Sequence, residues 1–294
     1  MNGSAPRRPV LLLLAATSCW GASSAALSHQ HAGVAAGAPI FAAGAAAWLC
    51  TLALLRGRKP LTALLTRPSL YARLGAVDAV NLALFVAALS VGPLPVVVAL
   101  HLTSPVLLIA ADVVRGRRTY SVLVGLELAL IVGAVALVAI AVPAGSTAGD
   151  VLAGSALALG SAVALAVLTT QISGVAGGQD PDVAGGLQLA VVALLALPLV
   201  VAAPPDRGTF SRLLILGMLL LGPGVSLYWR AMKRASAPLA GILGLNEAVV
   251  ASLIGALVFN AEIGVATLGA AALILSAVAL ELRAGQGRSR SRDE

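Results

Sequence analysis

Glu247 is the only charged residue in the 22-residue stretch from Pro238 to Phe259, PLAGILGLNEAVVASLIGALVF. A helix rises ~1.5 Å per residue, so a stretch of this length matches a hydrocarbon core ~30 Å thick. Glu247 lies nine residues in from Pro238, at a depth of ~13 Å, close to the bilayer midplane. A carboxylate there costs at least ~2.5 kcal/mol unless it is paired, hydrated or protonated. Ala240, Gly244, Ala251 and Gly255 share its helical face, making a groove of small residues that another helix or a solute can approach. Two roles fit: a substrate or proton site, or a structural acid that stays protonated and bonds a neighbouring helix.

Five other residues have types and depths that suit the same chemistry. His101 precedes Ser104 by three residues on one helical face, about one turn from the midplane. It fits a titratable partner or a contact for a substrate carboxylate, and equally a neutral imidazole bonded to a backbone carbonyl. Ser104, with Thr103, is either a ligand or a side chain bonded back to its own helix. Pro105 removes a backbone hydrogen bond and predicts a kink in this helix. Asn81, nine residues into its span, carries an amide that needs a partner from another helix or a solute. Trp20, in TSCWG, either walls a cavity or sits beside Gly21 where helices pack closely. Asn246 points ~100° away from Glu247 and suits helix-to-helix bonding as well as a site.

Positioning such residues requires membrane helices. The chain has 294 residues, 59% hydrophobic and only 11% charged, with a mean hydropathy of +0.99. A soluble domain carries roughly 25% charge. Apolar spans run at about 9–30, 34–55, 72–91, 95–114, 120–142, 151–172, 183–203, 211–229, 238–259 and 264–282, which predicts an all-α membrane protein with ten transmembrane helices. The first span resembles a signal peptide in outline and is read as an uncleaved helix. Of the 19 basic residues, 17 fall on the side of the N-terminus in this scheme, and only Arg207 and Arg212 on the other. The positive-inside rule therefore predicts both termini in the cytoplasm. It also accounts for a pI of 10.4 without nucleic acid as a partner.

Other chemistry has little support. Cys19 and Cys50 lie inside apolar spans, which gives no disulfide framework. His29 and His31 diverge on a helix and lack a third ligand nearby, so no metal site is expected. No Walker lysine motif appears, no cofactor is expected, and no catalytic triad spacing is evident. Asp78 and Glu127 read as structural, snorkelling or pairing with nearby Arg. Asp112 and Glu281 fall at helix ends. SGVAGGQDPDVAGG (173–186) reads as a flexible cytoplasmic connector rather than a phosphate cradle.

An internal repeat relates LHLTSPVLLIAADVVRGRRTYSVLVGLELAL (100–130) to LNEAVVASLIGALVFNAEIGVATLGAAALIL (245–275). Each is an apolar helix with a polar cluster near its middle, a short turn and a Gly-containing apolar helix. Five spans per half is an odd number, so the halves insert upside down relative to each other. The expected units are 9–142 and 150–283, divided by VPAGSTAGD (142–150), with a polar tail at 284–294. Inverted repeats place a solute site near the midplane at the repeat interface.

TSCWG (17–21), VNLALFVAALSVGPLPVVVALHLTSPVLL (80–108) and RAMKRASAPLAGILGLNEAVVASLIGALVFNAEIGVATLGAAALIL (230–275) resemble the EamA branch of the drug/metabolite transporter superfamily. The second and third stretches are most similar to threonine and homoserine exporters. The chain shows Glu247-Ala248 where the family usually has Glu-Pro, and His101 where the amino-acid exporters tend to carry Glu. Its turn after the ninth span reads Asn260-Ala261-Glu262 in place of Gly-Glu. The resemblance implies a non-enzymatic secondary transporter in the inner or plasma membrane. It further implies export of a small polar or amphiphilic metabolite such as an amino acid. A midplane Glu247 that can gain and lose a proton suits protons as the coupling ion, and a monomer or homodimer is the expected assembly. A membrane-embedded enzyme acting on lipid and a non-transporting scaffold are the rival readings.

Overall fold

The protein is described by a computed structural model over residues 7–29, 34–116, 119, 121–140 and 147–259, with scattered positions between 265 and 280. The expected tail at 284–294, the Asn260–Glu262 turn, Glu281, His31, most of the linker at 142–150 and much of the tenth span lie outside the described residues. The described chain is helical, without a strand. α1 (Arg7–His29) and α2 (Val34–Leu55) are followed by the short α3 (Pro60–Thr66), then α4 (Pro68–Val91), α5 (Leu94–His101), α6 (Ser104–Val114) and α7 (Val122–Ile140). After these come α8 (Ala148–Val175), α9 (Pro181–Ala202), α10 (Arg207–Leu216), α11 (Gly222–Met232), α12 (Ala237–Gly244) and α13 (Asn246–Phe259). Eight stretches are long and apolar enough to cross a membrane, and a shorter apolar helix runs over Val122–Leu137.

Helices suit this composition because a membrane interior leaves each backbone N–H and C=O to be satisfied within its own segment. The outer surface confirms the solvent. Leu55, Val122, Leu152 and Leu257 are among many large apolar side chains left exposed, whereas Asp78, Asn81, His101, Ser161, Gln188 and Glu247 are buried. Water disfavours so much exposed apolar surface; hydrocarbon accepts it. The protein is therefore an integral membrane protein.

α2 runs along α9, α4 along α8, and α1 along α11, while α1 also holds α13 and α8 holds α5. The α2–α9 seam is close because a side chain at Gly186 would lie 2.9 Å from the Cys50 sulfur and 3.2 Å from the Cys50 amide. The core under the site is filled by Trp229, Tyr71, Phe41 and Leu49.

Two expected helices are not continuous. The fourth span is divided between α5 and α6 at Leu102–Thr103, and the ninth between α12 and α13 at Leu245. Pro105 explains the first break, since it brings no N–H to the second piece. The second follows Gly244, a weak helix former, where Leu245 bonds tightly back to the carbonyl of Ile242 at 3.1 Å. The two breaks lie close together: a side chain at Gly241 would meet Pro105 Cα at 3.2 Å. The eighth span is also not a regular α-helix throughout. α10 passes into α11 through a π-type turn over Gly217–Leu221, a distortion often found beside functional sites.

The connector at 173–186 is shorter and better tied than its glycine content suggests. α8 continues to Val175, one 3₁₀ turn covers Ala176–Gly178, and α9 begins at Pro181. The Asp180 carboxylate caps α9 by accepting from the amides of Asp182 and Val183, the usual role of Asp at a helix start. Tyr71 OH donates to Gln179 Oε1 at 2.9 Å.

Candidate functional site

A cavity of about 100 Å³ lies among α1, α2, α4, α5, α8, α9, α11 and α13. Its walls are mostly apolar and aromatic, with Phe41, Phe85, Trp20, Tyr228 and Trp229 contributing rings. Two carboxyls, Asp78 and Glu247, border it. Such a volume takes several waters or a small solute.

On one side, Ser24 of α1 donates to Glu247 Oε1 at 2.7 Å. Glu247 is 5% exposed, and it lies in the first turn of α13, where the helix dipole favours a negative group. Gly21 sets the distance between the helices. A Cβ there would sit 2.6 Å from the Glu247 carbonyl oxygen and 3.0 Å from the Ala251 nitrogen, so α1 and α13 touch by backbone. α1 thus covers the small-residue face around Glu247 at Ala251, whereas a Cβ at Gly244 would meet nothing within 4 Å. One turn from Ser24, Trp20 lines the cavity and packs on Tyr228, with ring centroids 5.0 Å apart. Both sequence roles for the Trp20-Gly21 pair are realised, one by each residue.

On the other side, a chain of hydrogen bonds joins five helices. Ser161 Oγ lies 3.0 Å from the Asn81 carbonyl oxygen and 2.9 Å from Asn81 Oδ1. Its single proton is directed at Asn81, which leaves its lone pairs for Nδ1–H of His101 at 2.9 Å,. Asn81 Nδ2 donates to Asp78 Oδ1 at 3.2 Å, and Gln188 Nε2 donates to Asp78 Oδ2 at 2.7 Å. Trp229 Nε1 donates to Gln188 Oε1 at 3.0 Å. Beside this chain, Tyr228 OH donates to Thr169 Oγ1 at 3.0 Å. The His101 ring packs on Phe85 with centroids 4.2 Å apart.

Four of the six sequence candidates, Glu247, His101, Asn81 and Trp20, therefore meet at one cavity. The other two do not line it. Ser104 is buried at the start of α6, and Asn246 turns its amide to α1, donating to Thr17 Oγ1 and Ser18 Oγ at 3.1 Å each. Asn246 is a joint between α13 and α1, because its offset from Glu247 points it at the neighbouring helix. Thr103 bonds back to the Leu100 carbonyl at 2.7 Å.

Asp78 requires a correction. It does not reach the interface or an arginine; it is 6% exposed, held by two amides, and borders the cavity. Glu127 is also buried, at 1% exposure. Ser24, Ser161, Gln188, Tyr228 and Trp229 were not legible as site residues. Hydroxyls and aromatics are common in apolar helices, and only the helix pairing brings these together.

Below the cavity floor, Asp182 at the start of α9 collects three partners. Arg230 Nη2 donates to both of its oxygens, at 2.8 and 2.7 Å, and Arg56 and Ser226 donate as well. Arg58 pairs with Asp180 at 3.0 Å. Among the described residues no group of His, Cys, Asp and Glu is arranged to hold a metal.

A helical membrane bundle with a buried, acid-bordered cavity is the architecture of a membrane transporter, and comparison with known proteins agrees. Residues 152–283 match the EamA-like transporter family. Members of this family are membrane transporters of the drug/metabolite type, which implies a small-molecule substrate and a lipid bilayer as surroundings. A solved structure titled "Crystal structure of protein" shares the fold, with a TM-score of 0.72 at 21% identity over 92% of this chain and 96% of that one. No curated protein matches the sequence.

Proposed function

We propose that the protein is a secondary transporter that exports a small polar or amphiphilic metabolite, such as an amino acid or related amine, by alternating access. The observation that carries this reading is the cavity itself, bordered by Glu247 and His101 from the two interrupted spans. Broken helices at a midplane site are a recurring design of secondary transporters. Export is inferred from the resemblance to threonine and homoserine exporters.

The proposed architecture has ten spans in two inverted repeats, 9–142 and 150–283, with both termini in the cytoplasm. Three features support it. The breaks recur at matching places in the fourth and ninth spans. The pairing of α1 with α11 and α13 is mirrored by that of α8 with α4 and α5. The first helix of each half offers a serine to the titratable residue in the fourth helix of the other half, as Ser24 with Glu247 and Ser161 with His101. Protons are the proposed coupling ion, carried by Glu247.

Vesicles containing only this protein supply the test. A pH gradient imposed across them is expected to drive solute accumulation from a mixed panel of small metabolites. Absence of movement of every member would defeat the transport reading and favour a lipid enzyme or a scaffold.

A further inference from the structure

We propose that the cavity selects an organic cation, a protonated monoamine on a small apolar or aromatic body, over a zwitterion or an anion. This rests on the transporter reading above and narrows its substrate class. Three observations converge on it.

The first is charge. Asp78 and Glu247 border one cavity, and among its described lining residues there is no Lys or Arg. Burying an ionised carboxylate is costly unless a cation accompanies it. An ammonium group supplies what the protein does not.

The second is hydrogen-bond balance. Ser24 donates to Glu247, Gln188 to Asp78, Trp229 to Gln188 and Tyr228 to Thr169. These donors are spent on protein oxygens. A carboxylate has about four acceptor sites, so Asp78 and Glu247 keep lone pairs for further donors. Among the described lining residues Trp20 Nε1 is a buried N–H without a partner, but it is neutral, whereas an ammonium with three N–H groups finds two carboxyls to accept from it,. The N-terminus of α13, the natural place for a substrate anion, already has Glu247 in its first turn.

The third is the wall. Trp20 and Tyr228 pack with ring centroids 5.0 Å apart and planes tilted by 45°, and Trp229 and Phe41 also border the space. Aromatic faces attract cations and accommodate an apolar ring.

The experiment uses purified full-length protein and three compounds that share a phenylethyl body and differ in the charged groups on it: 2-phenylethylamine, phenylalanine and 3-phenylpropionate. Binding is measured by titration calorimetry, with the tryptophan emission of Trp20 and Trp229 as a second signal. The amine is expected to bind tighter than the other two by about tenfold or more. Asp78→Asn and Glu247→Gln should each weaken amine binding while leaving that of 3-phenylpropionate unchanged or improved. Phenylalanine or 3-phenylpropionate binding as well as the amine, or no binding of the amine, overturns the proposal. If a variant does not fold, the comparison within the wild-type protein decides. The vesicle assay separates the two readings. Accumulation of zwitterions or anions alone leaves transport standing and removes cation selectivity, and accumulation of nothing removes transport.

Discussion

Ser24 and Glu247 stand 223 positions apart in the chain and are joined by a 2.7 Å hydrogen bond. The bond links the first helix of the bundle to the second piece of an interrupted one. It gives Glu247 a donor that satisfies the ionised form, while the apolar wall around it accommodates the protonated form. An acid with both options at a cavity is suited to exchange a proton for a solute.

Glu247→Gln keeps the shape and can still accept from Ser24, but it cannot ionise. It is expected to fold and to exchange substrate across the membrane while losing uphill transport driven by a pH gradient. Glu247→Ala should lose both. Counterflow and gradient-driven accumulation in vesicles separate the two activities. A Gln variant that concentrates substrate as wild type does would sink the coupling role.

His101 is expected to matter through Ser161 and Asn81 rather than through contact with solvent. His101→Phe retains the stacking on Phe85 but removes the bond to Ser161. It should lower transport with insertion and expression intact, and Ser161→Ala should lower it in the same direction by a smaller factor. The wild-type profile is to be compared over about pH 5.5 to 8, which brackets the ordinary imidazole range. Matching flux in mutant and wild type across that window would make His101 a packing residue.

Much of this site is visible in the sequence because a polar residue inside an apolar span is conspicuous. Glu247, His101 and Asn81 stand out for that reason, and Trp20-Gly21 stands out as a wide and a narrow residue side by side. Asp78 is misread as snorkelling or pairing with a nearby Arg, since depth along a helix does not reveal which face meets a neighbour. Gln188 follows two glycines at the start of α9, and nothing local shows that those glycines bring α9 against α2 while Gln188 turns to Asp78. The helix breaks are half legible. Pro105 marks one, but Gly244 is a weaker signal for the other, where Leu245 is buried in a cluster with Phe85, Val98 and Ile109. The pairing of Ser24 with Glu247 is wholly tertiary.

Gly21 is expected to be intolerant of even one added methyl. A Cβ there meets backbone atoms of α13 at 2.6 and 3.0 Å, which cannot rotate aside. Gly21→Ala should force α1 outward and destabilise the protein by about 1–3 kcal/mol. Gly174→Ala is the control. It sits in α8 with nothing within 4 Å of the new methyl, and it should be neutral or stabilising by up to ~1 kcal/mol. Thermal unfolding in detergent distinguishes them. Equal melting temperatures would show that the α1–α13 contact is slack.

Topology follows from the distribution of arginine and lysine. Reporters placed after Glu294 and between Gly177 and Gly178 are expected to read cytoplasm, and one between Pro204 and Pro205 to read the opposite side. The Gly177–Gly178 site is chosen because neither glycine has a neighbour within 4 Å of an added side chain. A C-terminus on the far side would end the ten-span arrangement.

The Asp182 cluster is expected to act as a latch on the arginine-rich end of the bundle. Its carboxylate is 3% exposed and holds Arg230, from the end of α11, and Arg56, from the end of α2, while sitting at the start of α9. Three helices therefore meet on one buried anion. Arg230 follows Trp229, whose indole donates to Gln188 and so reaches Asp78 at the cavity floor. Loosening the cluster should be felt at the cavity. Removing one partner of a buried pair leaves an uncompensated charge and costs about 3–5 kcal/mol. The two arginines are 50% and 36% exposed on their side chains, so water screens them and the cost falls toward about 1–3 kcal/mol. Arg230 bonds both carboxylate oxygens and is the less exposed, so Arg230→Gln should have a larger effect than Arg56→Gln. Asp182→Asn should raise the labelling rate of a cysteine placed at Thr169 by a thiol reagent applied from the arginine-rich side, with Cys19 and Cys50 replaced by serine beforehand. Labelling unchanged by Asp182→Asn and Arg230→Gln alike would make the cluster a passive tie at the helix ends rather than a gate.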